Sequence, residues 1–188
     1  PHQFLTFAIA GSVYAKKFLN IADPKIALLS TGSEEGKGNE AVREAYSLLK
    51  NSGLNFIGNI EGNDILSGKA NVIVCDGFVG NVLLKFYESI GAYAKDWTEQ
   101  KLKKYPPLGA LVKLLFNRLF PVTKISSETE GGGGGILWGI DGVVRIAHGA
   151  SRAPHIAYAI ESAKKAVKAE IVESLKSELA KFNQGGKL

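Results

Sequence analysis

Lys37 stands between Gly36 and Gly38 in the stretch Ser30–Glu40, where an apolar run, Ile26–Leu29, gives way to a helical pattern. Backbone N–H groups at a helix start and an ammonium group suit an anion, most often a phosphate. Spacing alone leaves the kind of phosphate chemistry open. A Walker A loop needs four residues between its first glycine and its Gly-Lys pair, then Ser or Thr. Here Gly32 is followed by only three residues before Gly36 and Lys37, and Gly38 takes the place of the hydroxyl that would hold magnesium. That argues against a P-loop NTPase. Gly36–Ala41 does fit the dinucleotide fingerprint G-x-G-x-x-G/A, and Glu61 ends the next strand about where a ribose-binding acid belongs. A nicotinamide-dependent dehydrogenase is therefore one rival reading. The plain alternative is a glycine-rich turn with a solvated lysine.

Two further loops carry polar groups after apolar runs. Asp76–Asn81 follows Asn71–Cys75. Asp76 is placed to orient a lysine or accept a hydrogen bond, and Asn81 is a candidate cap for the next helix. His148–Arg152 follows the strand-like Val143–Ala147. Its His148 and Ser151 have anion-binding side chains, although a histidine in such a loop often has a structural role. Cys75 ends an apolar strand and reads as packing rather than catalyst.

The elements that must position these groups alternate between strand and helix. Phe4, Phe7, Ala8, Gly11, Ala15 and Phe18 recur at helical spacing over residues 3–19. Strands are expected at Lys25–Leu29, Asn55–Ile60 and Asn71–Cys75. A helix with the inner stripe Val42, Ala45, Tyr46 and Leu49 stops at Asn51–Gly53, and one helical turn is expected at Asp64–Leu66. The third strand is nearly all apolar, as when both faces are covered. The alternation predicts a parallel sheet wrapped by helices with right-handed crossovers. Ligands bind beyond the carboxyl ends of such strands, where the Lys37 and Asp76 loops should both open. A helix is expected over Val82–Lys104 and a last long helix over Pro154–Phe182, with short strands at Ile136–Ile140 and Val143–Ala147. The run Gly131–Gly135 reads as a turn with unusual backbone angles.

Within residues 105–121 lies an apolar segment bounded by prolines, with two cations and no acid. It is too short to span a bilayer. One reading lays it in the headgroup region, with Leu111, Leu115 and Phe116 inserted and Lys113 and Arg118 near lipid phosphates. The other makes it a core or dimer helix.

The 188 residues suffice for a single α/β domain, 1–188, with a sizeable core. The first residue is Pro1, so a fragment or a processed chain is expected. A lone cysteine excludes an internal disulfide framework and fits a reducing compartment. No stretch reads as a spanning helix or a signal peptide. The net charge of +5 favours acidic partners, whether nucleic acid, anionic lipid or an acidic carrier protein. Nucleic acid is the weaker choice, because the aromatic and basic interleaving of a single-strand binder and any zinc spacing are missing.

Five segments in order resemble the bacterial phosphate acyltransferases of phospholipid synthesis, the PlsX family. They are Phe7–Ala15, Gly36–Glu40, Asn55–Glu61, Asp76–Asn81 and Ala147–Ser151. The resemblance implies a Rossmann-like three-layer α/β/α sandwich with a mostly parallel sheet, similar to isocitrate and isopropylmalate dehydrogenases and to phosphotransacetylases. It implies a cytoplasmic homodimer, attached peripherally to the inner membrane face. Such an enzyme moves a fatty acyl group from acyl carrier protein to inorganic phosphate, without cofactor or metal. A short-chain phosphotransacetylase is the rival of the same fold, and a lipid-surface scaffold without turnover is the rival outside enzymes. Lys37 matches the family's catalytic lysine. The resemblance gives Gly36, Gly38 and Asn39 the role of backbone donors and Asp76 and Asn81 that of the opposite wall. His148 and Ser151 would contact phosphate or protonate the leaving thiol. The family chain is nearly twice as long, so part of the sheet and of the site is expected to lie outside this sequence.

Overall fold

A computed structural model describes residues 1–103, 135–147, 149 and 151–184. The sequence-predicted segment at 105–121, the run Gly131–Gly134 and His148 lie outside them. The described chain forms two compact units. The first takes in Pro1–Asp76, Trp138–Val143 and the chain from Lys164 onward, and the second takes in Gly77–Leu137 and Val144–Ala163.

In the first unit, helix α1 (His2–Lys17) precedes strand β1 (Ile26–Leu29), helix α2 (Glu40–Lys50), strand β2 (Phe56–Ile60) and strand β3 (Val72–Val74). The strands are parallel in the order β2-β1-β3. This is the expected α/β architecture, of the Rossmann-like three-layer kind. Residue pairs in a parallel ladder share a face. Ile26 and Leu28 stand beside Val72 and Val74, and all four sit on the face covered by α1 and α2. Phe4, Leu5, Ile9, Val42, Ala45 and Leu49 complete that core. Ala27 points the other way and is also fully buried, so the central strand is covered on both sides. The approach of α1 to the sheet is close. A methyl on Gly11 would lie 2.5 Å from Val72 Cγ1, so no larger residue fits there without movement.

β2 departs from a simple ladder. Ile26 pairs with Phe56, yet Leu28 pairs with Asn59, so β2 spends one residue more than β1 between the two pairs. Gly58 takes up this bulge at φ 97°, a conformation that glycine adopts without the strain a Cβ would bring. The phase of the strand is shifted, and Asn59 turns toward the helix-covered face.

The short turn after β2 is a 3₁₀ turn at Gly62–Asp64, slightly earlier than the sequence-predicted one. Two sequence expectations fail further along. The helix after β3, α3, runs Gly77–Lys103 and begins well before Val82. Asn81 therefore lies inside its first turns and is not its cap. Gly77 and Gly80 give the segment the composition of a loop, but they take helical conformation. Asp76 stands immediately before the helix, a position that favours acids. The expected single helix over Pro154–Phe182 is two: α4 (Ala153–Lys168) and α5 (Ile171–Gln184). They part at Glu170, whose φ is 51°. The break lets α5 pack along α1 with Ile171 and Phe182 buried, a tertiary gain that outweighs the left-handed backbone of one residue. Near the junction, Lys165 Nζ sits 4.1 Å from the centre of the Phe18 ring.

In the second unit, strands β4 (Gly135–Ile136) and β5 (Arg145–Ile146) pair antiparallel, shorter than the runs that predicted them.

Candidate functional site

β1 is the central strand, with β2 on one side and β3 on the other. The chain leaves β1 for one edge and returns past it to the other, so the order reverses between β1 and β3. Ligands of open α/β sheets bind at such a reversal, beyond the carboxyl ends of the strands. Ser30 leaves β1 there. Cys75 and Asp76 leave β3 beside it, one step past the pair Leu28 and Val74.

Between Ser30 and Asn39 the chain is held from several directions. Ser30 N–H donates to Ile60 O at 2.9 Å, extending the ladder to the loop's start. Lys37 N–H donates to Glu34 O at 3.1 Å, closing the turn that presents the lysine. Asn39 Oδ1 accepts from Val42 N–H at 2.9 Å and caps α2. Arg43 Nη1 donates to Gly38 O at 2.7 Å from one turn into the helix. Glu35 pairs with Lys50 at 2.9 Å, an exposed contact of little energetic weight. The charge of Glu35 is thereby directed to the far end of α2.

The side chain of Lys37 is exposed. Its ammonium makes no hydrogen bond or ion pair with the described residues. Its stem lies over Gly32, where a methyl would be 2.8 Å from Lys37 Cγ and 3.3 Å from Cδ. Gly38 has φ 97°, and a methyl there would meet Val42 Cγ1 at 2.6 Å. Gly36 has open space around it. The N–H groups of Glu40 and Ala41 open α2 and have no intrahelical acceptor. The loop thus carries an exposed lysine three residues before the start of α2, whose first N–H groups and positive end suit an oxyanion.

Gly36, Gly38 and Asn39 share the Lys37 loop, and Asp76 sits at the end of the neighbouring strand in the same unit. Asp76 is partly buried. Beside it the Cys75 thiol is pushed up from its ordinary value, first by burial and then by the Asp76 charge. Asn81 and Ser151 belong to the second unit. Asn81 is exposed on α3. Ser151 Oγ is buried and has no partner among the described residues. Immediately after it, Arg152 N–H donates to His155 Nδ1 at 2.9 Å, so His155 braces the start of α4.

A family described as "Fatty acid synthesis protein" matches residues 1–174. The chain belongs to that family. Proteins named phosphate acyltransferase resemble it throughout. The one from Acetivibrio thermocellus is 42% identical over 178 residues, which is 95% of this chain and 52% of that protein. Those from Thermoanaerobacterium thermosaccharolyticum and Dictyoglomus turgidum are each 44% identical over 181 residues, covering 54% of their own length. The chain spans about half the length of the curated relatives it matches.

Glu61, the candidate ribose acid of the dehydrogenase reading, is engaged in its own turn. The Glu61 side chain accepts the Asp64 N–H, and Asp64 Oδ2 in turn accepts the Glu61 N–H at 3.5 Å, so the carboxylate caps its own turn. Two residues that sequence reading passed over hold the Lys37 loop: Arg43, and Asn59 near the end of β2. Arg43 is legible as the helical neighbour of an N-cap. Asn59 needs the bulge at Gly58, which no hydrophobic period reveals. A cleft of about 370 Å³ runs along α1 and α5, past Ser12, Lys16 and Glu173, and includes none of the loop residues. No helix among the described residues is long and apolar enough to cross a membrane.

Proposed function

We propose that this chain forms part of an enzyme that transfers a fatty acyl group from acyl carrier protein to inorganic phosphate, giving an acyl phosphate for phospholipid synthesis. The supporting observation is the exposed Lys37 on a loop whose backbone is tied to α2 and β2, at the strand-order reversal. Family membership and the name of the relatives agree with it.

The reaction brings a phosphate oxygen to the thioester carbonyl carbon. The C–S bond breaks and the carrier's thiolate leaves. Phosphate is nucleophilic as it stands, so positioning and charge stabilisation are the protein's tasks. Lys37 holds the phosphate and offsets the charge that builds on the carbonyl oxygen. Gly36 and Gly38 allow close approach of the backbone, and Asn39 fixes the helix end that supplies donors. Asp76 lines the floor between β1 and β3. Asn81, His148 and Ser151 serve phosphate binding or protonation of the departing thiolate. The enzyme works as a homodimer. The segment at 105–121, with Leu111, Lys113, Leu115, Phe116 and Arg118, rests against an anionic membrane surface and keeps the cytoplasmic enzyme near the consumer of its product.

The test is phosphate-dependent release of carrier thiol by the full-length enzyme. Lys37→Ala is expected to abolish release with the melting temperature unchanged. Turnover at the wild-type rate in that variant would remove the lysine from the mechanism.

A further inference from the structure

Glu34 O receives two hydrogen bonds. One comes from Lys37 N–H at 3.1 Å, within the turn. The other comes from Asn59 Nδ2 at 2.8 Å, across from β2. Asn59 is only 7% exposed, and its Oδ1 is buried without a partner among the described residues. A buried amide whose carbonyl oxygen is left unpaired is costly for stability. An apolar residue of similar size would avoid that cost, so the stability of the strand does not account for an asparagine here. The bulge at Gly58 adds to this, since it takes a left-handed backbone to turn the side chain at 59 toward the loop.

We infer that Asn59 is a positioning residue for the phosphate loop: by holding the Glu34 carbonyl it fixes the turn whose other end is Lys37, and so the place of the ammonium. The inference rests on the proposed role of Lys37 in binding phosphate. Asn59 does not itself touch the substrate. Its action passes through one carbonyl oxygen. Without it the turn keeps its internal bond but loses its anchor to the sheet, and the lysine and neighbouring donors spread over several positions.

Three variants of the full-length enzyme test this: Asn59→Leu, Asn59→Asp and, as control, Lys37→Ala. Initial rates of carrier-thiol release are followed against phosphate concentration, with melting temperature and amide exchange at Lys37 measured alongside. Asn59→Leu is expected to lower kcat/KM for phosphate about tenfold, the size of one lost hydrogen bond. It should also speed exchange of the Lys37 amide while the protein stays folded. Asn59→Asp supplies the readout that a merely structural role would not give. A neutral aspartic acid donates its O–H to the Glu34 carbonyl, and a carboxylate has nothing to donate. Burial raises the pKa of such an acid. Its kcat/KM relative to wild type should therefore be highest at low pH and fall as pH rises. Unchanged kcat/KM for phosphate in Asn59→Leu overturns the inference, as does a flat ratio for Asn59→Asp between about pH 5.5 and pH 8. If Asn59→Leu does not fold, the pH series of Asn59→Asp decides alone. Wild-type turnover in Lys37→Ala defeats the proposed function instead, and amide exchange at Lys37 still reports whether Asn59 holds the turn.

Discussion

The two glycines that flank Lys37 stand in different surroundings, and a methyl added to each separates the loop's stability from its chemistry. At Gly38 the backbone has φ 97°, and a Cβ would lie 2.6 Å from Val42 Cγ1 and 2.9 Å from Ser30 Oγ. Ordinary contact begins at 3.4 Å, so something must give by about 0.8 Å. Valine has little rotamer freedom in a helix with which to yield. The left-handed backbone costs about 1–2 kcal/mol for a residue with a Cβ. Crowding adds about 1–3 kcal/mol. At about 2–4 °C per kcal/mol for a chain of this size, Gly38→Ala should lower the melting temperature by roughly 4–20 °C. Gly36 has no atom within 4 Å of its added methyl and lies outside the left-handed region. Gly36→Ala should therefore melt within about 2 °C of the parent. If Gly36 serves close approach to phosphate, that variant should still lose phosphate-dependent turnover. Melting is followed by circular dichroism and turnover by thiol release in the full-length enzyme. Coincident melting curves for the two variants would refute the steric reasoning. A stable Gly36→Ala with full activity would refute the place given to phosphate.

Leu28 is wholly buried at the centre of the sheet, in contact with the core beneath α1 and α2. Leu28→Ala should cost about 2–5 kcal/mol of stability, read from denaturant titration. The Cys75 thiol is pushed up by burial and by Asp76. It should react with iodoacetamide more slowly at pH 8 than the unfolded chain does, because less of it is thiolate. Asp76→Asn removes the second cause and should speed that reaction. Labelling of the native protein at the unfolded rate would contradict the assignment.

The sheet was legible because its strands are short apolar runs bounded by turn residues, and Ile26–Leu29 sits between two helical periods. The place of the Lys37 loop was legible because an apolar strand-like run precedes it and a helical period follows it. Where reading failed, the reason was tertiary. Residues Gly77–Asn81 look like a loop from their glycines, but helix propensity is a weak prior and the helix begins at once after Asp76. The stripe from Ile156 to Leu179 looks like one helix because apolar spacing does not register a single left-handed residue. Glu170 breaks it with neither glycine nor proline. As a site residue, Glu61 entered only the rival dehydrogenase reading, by its distance along the chain. Asp64, three residues on, competes for the same carboxylate and wins by proximity.

Two glycines with left-handed backbones, Gly38 in the loop and Gly58 in β2, bear on how the loop is held. Each makes possible a contact that a regular backbone would forbid. At Gly38 the chain turns tightly enough for Asn39 to cap α2 and for Arg43 to reach back to the Gly38 carbonyl. At Gly58 the strand gains the residue that swings Asn59 onto the Glu34 carbonyl. The loop is therefore tied at one end to a helix and near its middle to the sheet, with Lys37 between the two ties. A lysine side chain has four rotatable bonds and loses about 2 kcal/mol of rotamer entropy when fixed. Anchoring the backbone that carries it does not remove that cost, but it confines the ammonium to the arc that its stem can sweep over Gly32. For the proposed transfer, in which phosphate needs no activation, confining the cation and the donors to one place is most of what a protein can contribute.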